Sequence, residues 1–124
     1  GFGTTADGAW QIARLRSAAI LAELAVEHSE AWRSLAVSIL HVAVLGRLLP
    51  AAVGGNHECR YVHSLREVQE ATAAKRCDLA ALVLPVTMAH VEQIAGNLEK
   101  MPQKSTYFYP KLLSGLVFNP LKGN

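Results

Sequence analysis

A chain of 124 residues that is 51% hydrophobic and 18% charged has the size and apolar content of one globular domain, and too few charges to stay disordered. Its net charge of +2 excludes wholesale nucleic-acid binding. No signal-peptide pattern opens it, and the apolar run LAVSILHVAVLGRLLP, interrupted by His41 and Arg47, falls short of the roughly 20 residues that cross a bilayer, so a buried helix and no membrane partner are expected.

In chain order, GFGTTADGAWQIARL predicts a β-hairpin turning at Asp7-Gly8, with Trp10 and Ile12 on one face. A start inside a hairpin points to a sheet continued upstream. SAAILAELAVEHS predicts a helix capped by Ser17. SEAWRSLAVSILHVAVLGRLLP predicts a second helix capped by Ser29 and stopped by Pro50 and Gly54-Gly55. On it Trp32, Leu35, Ile39, Val42 and Leu45 form an apolar stripe, which Leu40, Val44 and Leu48 widen. Both tryptophans are expected in the core.

The remainder alternates. ECRYVH predicts a short strand, and SLREVQEATAAKR a helix with a Ser64–Glu67 capping box. DLAALVLP predicts a strand buried on both faces. TMAHVEQIAGNLEK predicts a helix capped by Thr87 with Met88, Val91, Ile94, Ala95 and Leu98 inward, and GLVFN a last strand. This order predicts an α/β or α+β fold: an N-terminal hairpin, two helices, then strand-helix units forming a small mixed sheet, partly parallel through a right-handed crossover. Residues 1–124 read as one domain.

Cys59 and Cys77 lack a paired spacing, which fits a reducing, cytoplasmic setting. His57, Cys59 and His63 are too few and too spread for a zinc site, and no metal is expected. His28 and His90 are expected to be solvated. His41 lies mid-helix on the apolar stripe and reads first as a packed histidine, with a catalytic role as the weaker alternative. Ser38, one turn earlier, lacks the third member and oxyanion hole that a hydrolase needs.

The last acidic residue is Glu99, and Lys100, Lys104, Lys111 and Lys122 follow it. This locally positive quarter favours a small anion or a negatively charged neighbour. Within it MPQKSTYFYPK gathers lysines, hydroxyls and aromatics between Pro102 and Pro110, which make a loop. In a loop Lys104, Ser105 and Thr106, with Lys111, can converge with backbone amides into an oxyanion cradle. The pattern is not a phosphate-binding P-loop, because the preceding glycines are absent. The rival reading leaves the lysines solvated and the aromatics covering an edge of the core.

MPQKSTYFYPKLLSGLVFNPL resembles the C-terminal signature of domain-of-unknown-function family 1015, a bacterial and archaeal family. EAWRSLAVSILHVAVLGRLL, RYVHSLREVQEA and DLAALVLPVTMAHVEQIA extend the similarity over most of the chain. Ala36 stands where the family usually has Asp, and Pro85-Val86 where it has Asn-Pro, which puts any role of that Asp in doubt. Members are about three times longer, so the resemblance implies a C-terminal third whose partner is the upstream part of the same protein or a second copy. It also implies phosphoryl transfer onto free serine in some members, with phosphate or pyrophosphate as the donor chemistry. The acids of this chain sit mainly on helix faces, so a catalytic carboxylate is expected from the upstream part. The non-enzymatic alternative is an interaction domain whose aromatic-proline segment packs on a partner.

Overall fold

The structure, a computed structural model, describes residues 1–4, 8–54 and 57–107. Strands β1 (Phe2–Thr4) and β2 (Trp10–Gln11) form the expected hairpin, with Phe2 opposite Gln11 and Gly3 opposite Trp10. Gly8 near the turn has φ +67°, a conformation that glycine adopts without a Cβ clash. Strand β3 (Leu79–Ala81) pairs with the other edge of β1, giving the order β2-β1-β3. The fold class is therefore helices with a small sheet, as expected. Every ladder among the described residues is antiparallel, however. ECRYVH is coil rather than a strand, so it makes no parallel crossover to β3.

The long apolar stretch does not fold as one uniform helix. Helix α2 (Glu30–Ser34) follows α1 (Ala19–Leu24) and ends at Leu35, whose extended backbone (ψ 136°) breaks the winding. Helix α3 (Ala36–Ile39), a π-helical segment over Leu40–Leu48 and α4 (Leu49–Val53) then run on continuously. The break and the wider i→i+5 winding shift the phase of the stripe. Trp32 and Leu35 are buried, whereas Ile39, Val42 and Leu45 are only half-buried and Leu48 is exposed. Pro50 does not stop the run. It occupies the first turn of α4, where its missing N–H costs little, and the chain leaves the helix at Gly54 (φ +60°). The 18 residues Ala36–Val53, with mean hydropathy 1.8, are apolar and long enough to cross a membrane by length and composition. Only 17% of that span is buried among the described residues, so it is not the buried helix expected from the sequence, although a core helix of a soluble protein passes the same test of length and composition.

Helices α5 (Leu65–Ala73) and α6 (Met88–Gly96) start at the caps the sequence marks. The Ser64 hydroxyl accepts the Glu67 N–H at 3.2 Å and donates to the Glu67 carboxylate at 2.7 Å. Thr87 and His90 cap each other reciprocally. Both helices end on residues with positive φ, Lys75 (+52°) and Leu98 (+58°). At α6 the Leu98 N–H bonds the Ala95 carbonyl and the Glu99 N–H bonds that of Ile94. Those two bonds make a Schellman motif with leucine where glycine is usual.

The core consists of Ala25, Trp32, Leu35, Val37 and Ile94, with Val42, Val86 and Met101 packed against it. It lies between α2, α3 and α6. The 78–85 segment is not buried on both faces among the described residues: Leu82, Val83 and Leu84 are exposed, and no described element covers them, while the last expected strand, GLVFN, lies outside the described residues. Trp10 also departs from the expected core position. It is half exposed, and its indole lies so close over Gly3 that a Cβ there would fall 2.6 Å from the ring. Met88 and Leu98, expected inward on α6, face solvent, and Ile94 alone of that set is fully buried.

Candidate functional site

Glu99 follows the Schellman turn of α6 directly, and the turn aims its carboxylate at the start of α2. Oε1 accepts the Ser29 N–H at 2.8 Å and lies 3.2 Å from His28 Nδ1. A carboxylate only accepts, so Nδ1 carries the hydrogen. Oε2 is buried with no partner among the described residues. Hydrogen bonding from Ser29 is the main reason the Glu99 carboxyl sits below the ordinary carboxylate range, and His28 adds a smaller share. On its other side the His28 ring lies flat on the Trp32 indole. Trp32 in turn donates Nε1–H to the Lys100 carbonyl at 3.1 Å. Arg33 closes the cluster by donating to the carbonyls of His28 and Ala25. His28 is thus packed and paired, not solvated as the sequence predicts.

This cluster roots the lysine-hydroxyl loop. Pro102 is buried, Gln103 and Lys104 are exposed, and Ser105 and Thr106 are half-buried. The Ser105 N–H closes a turn on the Pro102 carbonyl at 3.3 Å, and the Ser105 hydroxyl donates to the same oxygen at 2.6 Å. Lys104, at the tip, has φ +58°. The turn therefore consumes both Ser105 donors. What it offers an anion is the Lys104 ammonium, the Thr106 hydroxyl and the neighbouring amides. Among the described residues no ion pair occupies Lys104. Lys111 lies outside the described residues.

The coil at 57–63 touches His41 and Tyr107. Tyr61 meets His41 edge-on, with ring centroids 6.0 Å apart, and His63 meets Tyr107 at 4.3 Å. His41 is half-buried, and that burial holds its imidazole below the ordinary pKa. Ser38, in contrast, is completely buried and its hydroxyl has no partner among the described residues, so it shares no surface with His41. Cys59 and Cys77 are both free thiols. Among the described residues no group of three or more His, Cys, Asp or Glu could hold a metal ion. An open cleft of about 350 Å³ lies at the hairpin between Trp10 and Thr72, and no described residue of the lysine loop lines it.

The Glu99–His28 cluster was missed because its halves lie 71 residues apart. The one local signal, a helix end just before Glu99, points to Gly96 and Asn97, whereas the left-handed residue that turns the chain is Leu98. No family model matches the chain, and neither a curated protein nor a solved structure does so.

Proposed function

We propose that the chain binds a phosphate-type anion at the Lys104-Ser105-Thr106 loop, with Lys111 as a second cation, and that it forms part of a small-molecule, serine-type phosphotransferase. The observation that carries the reading is the exposed ammonium of Lys104 at the tip of a closed turn, free of any carboxylate among the described residues. A lysine beside a hydroxyl suits oxyanions as a point charge. The resemblance of MPQKSTYFYPK to family 1015 supplies the phosphotransferase part, with His41 as the second-rank catalytic residue and phosphate or pyrophosphate as ligand. A cytoplasmic setting, from the two unpaired cysteines, belongs to the same proposal.

Titration calorimetry with inorganic phosphate and with pyrophosphate tests it. Lys104→Ala is expected to weaken binding at least tenfold, which corresponds to about 1.4 kcal/mol. Identical isotherms for variant and wild type would remove Lys104 from the site.

A second, non-enzymatic reading is favoured by the exposed apolar residues Leu82, Val83, Leu84 and Met88 around β3 and the start of α6. An uncovered apolar surface of this kind marks an interaction face, for a second copy or for an upstream part of the protein. Sedimentation of the chain separates the two readings. A monomer that binds pyrophosphate supports the first, and a dimer indifferent to pyrophosphate supports the second.

A further inference from the structure

We infer that the cleft between the hairpin and α5 is a binding site for a neutral nucleobase, with Trp10 as the stacking surface and Gln69 as the group that reads the base edge. The cleft holds about 350 Å³, at the small end of the range usual for ligand pockets and enough for a nucleoside. Its hairpin wall supplies an aromatic plane. Gly3 stands opposite Trp10 in the β1–β2 pair, and the indole lies over it, with ring atoms 2.6–2.8 Å from where a Cβ would be. Only glycine leaves room for that approach, so the ring is seated on backbone rather than on a flexible side chain. Trp10 is nevertheless 46% exposed where it borders the cleft. A large aromatic side chain that is fixed on one side and uncovered beside a concavity is a surface on which another flat ring stacks.

The α5 wall supplies a polar edge. Gln69, Thr72 and Ala73 stand at i, i+3 and i+4, so they share one face of the helix, and all three line the cleft. The Thr72 hydroxyl directs its single hydrogen to the carbonyls of Val68 and Gln69, each at 3.0 Å, so toward a ligand it can only accept. The Gln69 side chain is exposed, and its amide makes no hydrogen bond among the described residues. That amide offers a donor and an acceptor side by side, the complement of the amino group and adjacent ring nitrogen of adenine. No acidic or basic side chain lines the cleft among the described residues, which favours an uncharged group there. A base has two bare faces and one polar edge, and the cleft has the same division between indole and amide. A sugar ring carries hydroxyls around its whole rim and would leave several of them against the indole and Ala73 without partners.

No described residue of the lysine loop lines the cleft, so adenosine can bind while phosphate does not, and the reverse. Nuclear magnetic resonance of the full chain with added adenosine tests the site. The Trp10 indole N–H reports on the cleft, and the Trp32 indole N–H, bound to the Lys100 carbonyl, is the internal reference. Adenosine is expected to shift the Trp10 signal saturably, with a Kd of about 1 mM or tighter, and to leave Trp32 in place. Gln69→Leu changes an exposed position of α5 and should weaken adenosine at least about fivefold. Purine riboside lacks the 6-amino group. It should therefore bind the wild type as weakly as adenosine binds Gln69→Leu, and should not distinguish the two proteins. A Trp10 signal unmoved by about 10 mM adenosine overturns the proposal, as does an equal response to methyl glucoside. Equal affinity of wild type and Gln69→Leu for adenosine, or of the wild type for adenosine and purine riboside, overturns it as well.

Discussion

The Trp32 indole donates to the carbonyl of Lys100 at 3.1 Å, across 68 residues of sequence. One side chain thereby closes the core and fixes the exit of the lysine loop. Phenylalanine would keep most of the apolar volume but leave that carbonyl without its donor. Trp32→Phe is expected to lower stability by about 2 kcal/mol, and Trp32→Ala by about 4 kcal/mol. Urea midpoints measure both, and an unchanged slope would confirm that the folded state has kept its compactness.

Ser38 makes the opposite case. It is fully buried in α3 and its hydroxyl has no partner among the described residues. A buried hydroxyl that bonds nothing costs free energy, and alanine has almost the same shape without it. Ser38→Ala is expected to raise stability by about 1 kcal/mol. A loss of stability on the same scale would mean that the hydroxyl is satisfied after all.

Two kinds of group make stability depend on pH. The His41 ring is held below its ordinary value of 6.5 by burial. As pH falls below 6.5 the unfolded chain takes up a proton that the folded ring refuses, so stability declines until the folded ring titrates as well. Glu99 and Glu67 are also lowered from 4.5, chiefly by hydrogen bonds from Ser29 and Ser64 respectively. Their contribution is present above 4.5 and is lost as pH drops through the folded values. His41→Gln should therefore flatten the decline between about pH 7 and about pH 5 and leave the acid limb intact. Urea denaturation across that range checks it, and parallel profiles would clear His41.

The elements that could be read locally are those whose signal is local. Ser29, Ser64 and Thr87 cap their helices because a hydroxyl before an apolar run satisfies free N–H groups three residues on, whatever the tertiary context. The pairing of β1 with β2 likewise agrees with a short-range hairpin signal, of which Gly8 is the described part and Asp7 lies outside the described residues. Burial was less legible. Leu82 to Leu84 read as a doubly covered strand, but covering depends on what packs there, and no element among the described residues does. The stripe on the long helix assumed one winding, and the Leu35 break and the π segment changed its phase. At the site, Pro102 announced a loop correctly. That Ser105 would spend both donors inside the turn was invisible, because that geometry depends on the backbone conformation of Lys104.

Leu98 and Lys104 both hold φ +58°, where a Cβ crowds the backbone and glycine does not. Leu98 is 96% exposed, so it gains little from its side chain there. Leu98→Gly should stabilise the Schellman turn by about 1 kcal/mol and leave anion binding alone. Lys104→Gly relieves the same strain, and a similar gain of about 1 kcal/mol is expected. It also removes the ammonium, so phosphate affinity should fall at least about tenfold in the variant that is the more stable of the two proteins. Thermal unfolding alongside calorimetry reads both quantities. A Lys104→Gly protein that is more stable and binds phosphate as tightly as wild type would show that the turn is a strained surface feature with no anion to hold.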